Sequence, residues 1–164
     1  MSENAIHQAS STAVLPVRPG QGLKLAIIHR RIPARADGPG HARTITRAVL
    51  TEWACERTHI DHTLTVVSEL VTNGAIHGRA HRHMHLVLTL HADGAVQVAI
   101  ASRSRHGGPV PPPRPPHPSE IDPLAEHGRG LAVVQALAPG ARVETMHGAV
   151  RAIAIVPPAV AEAA

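Results

Sequence analysis

Apolar residues alternate with mostly polar ones in several stretches of the chain, and this spacing of two predicts β-strands. The first stretch covers residues 23–32, and the others form two pairs that each flank a short turn. An Asp-Gly turn favours a hairpin, because its backbone twist matches that of the flanking strands. The pairs are residues 84–90 with 96–100 around Asp93-Gly94, and residues 142–146 with 149–156 around His147-Gly148.

Other stretches place apolar residues at helical spacing. A first helix is predicted from Ala42, Ile45, Val49 and Trp53, with a capped start at Asp37 and Pro39. A second helix follows a Thr58/Asp61 pair that has the spacing of a capping box. Its apolar side consists of Leu64, Val67, Leu70, Val71 and Ala75.

These predicted elements define a fold class. Strands outnumber helices, and the helices cluster in the sequence. We therefore expect an α/β (α+β) fold, a two-layer sandwich in which helices cover one face of a mixed, mostly antiparallel sheet. The predicted division is a flexible tail at residues 1–20, one domain at 21–157 and a short tail at 158–164.

The second helix also carries a polar stripe. Glu69, Asn73 and His77 follow one another at intervals of four residues, so they share one face of a helix, and Thr65 extends that face by a turn. A carboxylate, a carboxamide and an imidazole in this arrangement can hold a hydrated magnesium ion and orient a nucleophile. A solvated polar face is the alternative interpretation.

A glycine-containing segment, Glu126-His127-Gly128-Arg129-Gly130-Leu131, comes before a third apolar run that ends at Pro139-Gly140. This order predicts glycines that lead into a helix N-terminus. Gly128 and Gly130 would let backbone N–H groups approach an anion closely, and the first helical turn has unpaired donors and a partial positive charge. Glycines that merely mark a loop before a helix are the alternative.

The two segments together resemble a known family. Ser68-Glu69-Leu70-Val71-Thr72-Asn73-Gly74-Ala75-Ile76-His77-Gly78 is similar to the N-box of GHKL-type ATPases, and residues 126–131 are similar to their glycine box. The resemblance runs from about Ile32 to about Val156 and is strongest to bacterial anti-sigma-factor serine kinases and related single-domain ATP-binding regulators. It implies a histidine-kinase-like ATPase fold.

The resemblance also implies roles for individual residues. Glu69 would be the general base, Asn73 would bind Mg²⁺, and His77 would contact the nucleotide. The glycine box would close over the phosphates of ATP. Its residues in this chain are Gly128, Arg129, Gly130 and Leu131.

One position departs from the family pattern. The resemblance aligns Ser102 with an aspartate that accepts a hydrogen bond from the adenine amino group, and no Asp or Glu occurs between Asp93 and Glu120. A charge-assisted hydrogen bond contributes roughly 1.5–3 kcal/mol, so its loss weakens nucleotide binding by about one to two orders of magnitude. Ser102 can still accept a hydrogen bond through its hydroxyl oxygen. Gly74 replaces a usual alanine, which weakens the helix slightly.

Composition narrows the classes of function that the chain could have. Trp53 is the only aromatic residue among 164, so the core is expected to be aliphatic, and Cys55 is the only cysteine. The formal charge of +4 suits an acidic partner, whereas dispersed arginines without interleaved aromatic residues argue against direct binding of nucleic acid. Neither a signal peptide nor a membrane span is recognisable, which predicts a cytoplasmic protein.

Two further features leave alternatives open. His81, His83 and His85 alternate, so on a strand their imidazoles share a face that could ligate a transition metal or remain solvated. Residues 109–118 are rich in proline and fall where the family has its nucleotide lid, at about 103–127. A stiffened lid, a proline-rich docking peptide and a semi-rigid connector all fit this composition.

Two functional hypotheses result. By resemblance, the chain would hold a sigma factor, bind Mg-ATP and phosphorylate a serine on an anti-anti-sigma-type antagonist protein, with a homodimer as the family's frequent form. The alternative is a degenerate, nucleotide-weak binding module that sequesters a partner without kinase activity. Ser102 favours the second hypothesis, whereas the Glu69/Asn73 pair favours the first.

Overall fold

The structure, a computed structural model, describes residues 24–76, 82–103, 129–146 and 149–159. These ranges contain five strands and three helices. The strands are β1 (Lys24–Pro33), β2 (His83–His91), β3 (Val96–Arg103), β4 (Arg142–Met146) and β5 (Ala149–Val156). The helices are α1 (Gly38–Glu52), α2 (Arg57–Ile76) and α3 (Arg129–Leu137).

The five strands form one sheet in the order β1-β2-β3-β5-β4. Both predicted hairpins are present, with Leu90 paired to Val96 in the first and Met146 paired to Ala149 in the second. The sequence predicted a mixed sheet, but every pairing among the described strands is antiparallel. The predicted two-layer α/β arrangement is confirmed.

The starts of the first two helices differ in detail from the prediction. Asp37 precedes α1, but its side chain does not cap the helix, because the carboxylate accepts two hydrogen bonds from Arg35 at 2.8 and 3.0 Å. The α2 helix starts before Thr58, since the backbone N–H of Ile60 donates to the carbonyl of Glu56 at 2.9 Å. Thr58 therefore lies inside the first turn, and the predicted capping-box pair is wrong.

The core lies between the helices and one face of the sheet. Leu86 and Leu88 of β2 and Val98 of β3 are buried together with Val67 and Val71 of α2. Full burial of such a side chain stabilises the fold by roughly 1.5–3 kcal/mol. The core is aliphatic, as composition predicted.

The only tryptophan and the only cysteine of the chain lie at the edge of this core. Trp53 and Cys55 are partly buried and pack against the buried cluster. Burial raises the pKa of the Cys55 thiol, so the thiolate needed for nucleophilic chemistry is disfavoured there. A nucleophilic role for Cys55 is therefore disfavoured.

Candidate functional site

Two residues of the predicted polar stripe, Glu69 and Asn73, lie on α2, and the third, His77, falls outside the described residues. Glu69 and Asn73 are partly buried and one helical turn apart. Leu70 and Val71, on the other side of the helix, are buried in the core. The two polar side chains are thus held by a helix whose rotation is fixed by its apolar side.

The N-terminus of α3 lies directly against Glu69. A Cβ atom added to Gly130 would overlap Oε2 of Glu69 and lie 2.7 Å from its Cδ. The carboxylate therefore rests on the backbone of the first turn of α3, a position that only glycine leaves open. The fold thus joins two segments that are 61 positions apart in the sequence.

This contact places a negative group at a helix N-terminus, where unpaired backbone N–H groups and the helix dipole favour anions. Leu131 is partly buried in the same turn, and α3 packs against α2. The first turn of α3 is consequently fixed next to the Glu69/Asn73 face. A phosphate near Gly130 would meet backbone donors, and a cation would have to lie between it and the Glu69 carboxylate.

A second glycine, Gly74, allows α2 to pack closely against the sheet. A Cβ atom added to Gly74 would lie 2.7 Å from Sδ of Met84 and 3.6 Å from Cγ2 of Ile100. Met84 is fully buried, so its side chain has little room to move. Sequence reasoning treated Gly74 only as a weak helix former, and it missed this close approach because Met84 is ten positions away on another element.

Ser102 lies near the end of β3, on the same face as Ile100 and opposite Val150 of β5. Ser102 is only 5% exposed. Residues two apart on a strand are about 7 Å from each other. Ser102 therefore lies about 7 Å along β3 from Ile100, the residue that approaches α2. The departure from the family pattern is thus a buried hydroxyl on the helix-covered face.

Two predicted site residues cannot be placed. His77 and Gly128 lie outside the described residues. Arg129 is the first residue of α3. The structure therefore places Glu69, Asn73, Gly130, Leu131 and Ser102 of the predicted set, and brings Glu69 and Gly130 into contact.

The alternating histidines do not form a described metal site. Nη2 of Arg31 lies 3.1 Å from Nδ1 of His83, and Nε2 of His29 lies 2.8 Å from Nδ1 of His85. His81 lies outside the described residues. Within the described ranges, no three His, Cys, Asp or Glu residues are grouped to hold a metal ion.

Glu69 and Asn73 nevertheless fit a magnesium ion of the kind that accompanies a nucleotide. Mg²⁺ usually takes one or two protein oxygens and completes its shell with phosphate and water. The carboxylate and the carboxamide supply such oxygens from one helix face, next to a phosphate-compatible helix N-terminus. The site residues that are described thus suit the phosphate end of ATP, whereas Ser102 offers a hydroxyl where the resemblance expects a carboxylate.

Residues 32–153 match the family described as histidine kinase-like ATPase domain. The match covers most of the chain, so the chain belongs to this family of ATPase domains. Membership in this family implies ATP binding. A comparison with curated proteins gave no match.

Solved structures share the fold. One is the crystal structure of the RsbU and RsbW domains of Rv1364c from Mycobacterium tuberculosis, with a TM-score of 0.59 and 21% sequence identity. The alignment covers 80% of this chain but only 32% of that one, so this chain spans about a third of its length.

None of the described helices is long and apolar enough to cross a membrane.

Proposed function

We propose that this chain is an ATP-binding regulator of the anti-sigma-factor type that binds Mg-ATP at α2 and α3 and transfers a phosphoryl group to a serine of an antagonist protein. The observation that carries the proposal is the packing of the Glu69 carboxylate on Gly130. Family membership and the likeness to a structure that contains an RsbW domain support it. Sequestration of a sigma factor, and hence a place in the cytoplasm, belong to the same proposal.

Each residue has a defined task in this proposal. When bound, ATP supplies the phosphoryl group. Glu69 accepts the proton of the attacking serine hydroxyl through a carboxylate oxygen. Asn73 offers its carboxamide oxygen to Mg²⁺, and the backbone at Gly130 donates hydrogen bonds to phosphate oxygens. Gly128 and His77, which lie outside the described residues, are assigned to the nucleotide by resemblance alone.

A second candidate function follows from Ser102. If its buried hydroxyl replaces the adenine acceptor, the chain binds nucleotide weakly and acts by sequestering a partner without phosphoryl transfer. The two candidates differ in one measurable quantity, the affinity for ATP. A sequestering surface need not include the nucleotide site, so partner binding alone does not distinguish them.

Titration calorimetry with ATP and ADP, with and without Mg²⁺, tests the first candidate. We expect Mg²⁺-dependent binding that Asn73→Ala weakens. Glu69→Gln should keep nucleotide affinity and abolish transfer to serine, because the amide is isosteric but not a base. Glu56→Gln, an exposed position before the same helix, is the matched control and should change neither.

The outcomes separate the candidates. An unchanged transfer rate in Glu69→Gln would exclude Glu69 as the base. The sequestering module would be favoured by two results together. The chain would not bind ATP, and it would still bind a sigma factor or a serine-bearing antagonist that affinity capture recovers and purified proteins reconstitute. Absence of both would overturn the regulatory proposal and leave a member of an ATPase family.

A further inference from the structure

Four polar side chains of β1 and β2 lie on the sheet face away from α2. Successive residues of a strand point to opposite faces of the sheet. Since Ile32, Met84 and Leu86 are buried in the core, the residues that alternate with them point away from the helices. We call four of these residues the Arg–His network: His29, Arg31, His83 and His85.

Hydrogen-bonding contacts join the network in two pairs across the strands. Nη2 of Arg31 lies 3.1 Å from Nδ1 of His83, and Nε2 of His29 lies 2.8 Å from Nδ1 of His85. The ring centroids of His29 and His85 are 4.9 Å apart. Arg31 is also the direct cross-strand partner of His85, so the two pairs are adjacent.

The first pair fixes the protonation state of His83. A guanidinium has only N–H donors, so Nδ1 of His83 accepts the hydrogen bond from Arg31 through its lone pair. His83 is therefore neutral in this arrangement, and its proton is on Nε2. In the second pair one imidazole nitrogen donates and the other accepts, so at most one of the two rings is charged.

Uptake of a proton by His83 would break the first pair. An imidazolium has a donor on each ring nitrogen, so its Nδ1–H would face a guanidinium that also only donates. Histidine changes its charge between about pH 5 and pH 8. In mild acid, Arg31 and His83 thus become two adjacent positive groups, and both residues are exposed.

The surrounding strands offer no negative charge to offset this change. Among the described residues, β1, β2, β3 and β5 contain no Asp or Glu. Glu144 lies on the edge strand β4, and its carboxylate accepts a hydrogen bond from Arg142 at 2.8 Å. The other neighbours on this face or at the start of β2 are basic or neutral: His29, His85, Ala101, Arg151 and Arg82. A bound anion is what could compensate the charge.

An oxyanion supplies the acceptors that the protonated pair lacks. The planar fork of a guanidinium matches phosphate and carboxylate groups, and hydrogen bonds between ionised partners are the stronger ones. We propose that Arg31 and His83 form a binding site for a tetrahedral oxyanion, a phosphate or sulfate group, that opens when His83 takes up a proton. One oxygen accepts a hydrogen bond from the guanidinium of Arg31, and another accepts one from Nδ1–H of His83. His29 and His85 add positive charge when they are protonated.

This site is separate from the candidate nucleotide site. Glu69 and Gly130 belong to the helical layer, on the opposite side of the sheet from Arg31 and His83. Binding of an oxyanion at the Arg–His network requires neither nucleotide nor phosphoryl transfer. Its test uses no nucleotide, so a negative result would leave the proposed function unaffected.

The test is an NMR titration of the isotope-labelled full chain with sodium sulfate at pH 5.5 and pH 7.5, at constant ionic strength. Sulfate keeps its charge between these pH values, so a change in affinity reports on the protein. We expect saturable shifts of the Arg31 and His83 amides and of the His83 ring signals. Binding should be roughly tenfold tighter at pH 5.5, because a charge-assisted hydrogen bond is gained there.

His83→Gln separates the proton from the contact. Glutamine can accept the hydrogen bond from Arg31 through its amide oxygen but does not titrate, so the variant should lose most of the pH dependence of sulfate binding. His41→Gln, at an exposed histidine of α1, is the matched control and should keep that dependence. Arg31→Gln should weaken binding at pH 5.5 by roughly tenfold, whereas Arg43→Gln on α1 should leave it unchanged.

A second titration at pH 5.5 identifies the source of the oxyanion. Tighter binding of a phosphoserine peptide than of inorganic phosphate would assign the site to a phosphorylated protein. Equal or tighter binding of inorganic phosphate would assign it to a free anion.

Four results would overturn the proposal. They are equal sulfate affinities at the two pH values, a pH dependence that His83→Gln fully retains, equal losses in Arg31→Gln and Arg43→Gln, and the absence of saturable shifts. Dispersed amide spectra for each variant establish that it is folded before its affinity is compared.

Discussion

The two ends of the candidate nucleotide site are built differently. At the proposed phosphate end, Glu69 of α2 lies against a helix N-terminus whose Gly130 leaves room for the carboxylate. At the proposed adenine end, the position that the family resemblance assigns to an acceptor carries one buried hydroxyl, that of Ser102. The phosphate end relies on backbone groups and close packing, whereas the adenine end relies on a single side chain.

This difference has a consequence for specificity. Backbone donors at a helix N-terminus recognise any phosphate and do not distinguish one base from another. Discrimination against the wrong base needs a polar side chain whose partner would otherwise remain unpaired. We therefore expect the wild-type chain to bind nucleoside triphosphates with weak preference for adenine.

The largest expected effect is that of Gly130→Ala, which adds a methyl group at the proposed phosphate end of the site. The new methyl group would displace the Glu69 carboxylate or the first turn of α3. Loss of two hydrogen bonds to a charged phosphate corresponds to about a hundredfold weaker ATP binding, measured by calorimetry. Gly40→Ala, in the first turn of α1, is the control, because its nearest neighbour is an Arg43 nitrogen at 3.8 Å. Equal affinities in the two variants would mean that the glycine contact does not shape the site.

The adenine end is tested with Ser102→Asp. A carboxylate there should tighten ATP binding by about tenfold and leave GTP binding nearly unchanged, since it adds an acceptor for the adenine amino group. The nucleotide-free variant should be less stable than wild type, because it buries an unpaired charge. Ser102→Asn supplies a neutral acceptor of similar size and separates charge from shape. If neither variant discriminates ATP from GTP better than wild type, Ser102 does not lie at the base.

A smaller effect is expected where α2 approaches the sheet between the two ends. Gly74→Ala should lower the free energy of unfolding by about 1 kcal/mol, because overpacking against Met84 outweighs the gain in helix propensity. Met84→Val removes the sulfur atom that the new methyl group meets. Urea unfolding of the double variant should show a loss smaller than the sum of the single losses by about 1 kcal/mol. Additive losses would show that the two residues are not coupled.

The smallest effect concerns the far end of α2. His59 is 3% exposed, and its Nε2 lies 3.2 Å from the carbonyl oxygen of Val156, while burial lowers its pKa below 6.5. The unfolded chain therefore binds the proton more readily, so this contribution to stability is complete above about pH 6.5 and is lost as the pH falls through the lowered pKa. The nearby charged groups are His62 and Glu56, which act in opposite directions on this pKa.

Urea unfolding of wild type and His59→Gln at pH 7.5 and pH 5.5 measures this effect. The amide can still donate to Val156 but does not titrate, so the variant should lose less stability on acidification. The other histidines are common to both proteins and cancel in the comparison. Identical losses would mean that His59 does not anchor α2 in a pH-dependent way.

The sequence alone determined the elements and the chemistry of α2. Alternation placed both hairpins, and helical spacing put Glu69 and Asn73 on the side of α2 opposite its buried residues, because local periodicity decides which side of an element is apolar. The family resemblance, carried by local motifs, was confirmed by the match over residues 32–153.

Only the tertiary structure decided which of these local features meet. The contact of Glu69 with Gly130 and the close packing of Met84 against Gly74 each join residues from different elements. No local periodicity carries such information, because the distance between two elements is set by the packing of the whole core and the order of the strands in the sheet. The sequence placed Gly130 at the entry to a helix and Gly74 inside one, but it did not indicate what either glycine contacts. Packing makes the first a contact for the site's carboxylate and the second a spacer between α2 and the sheet.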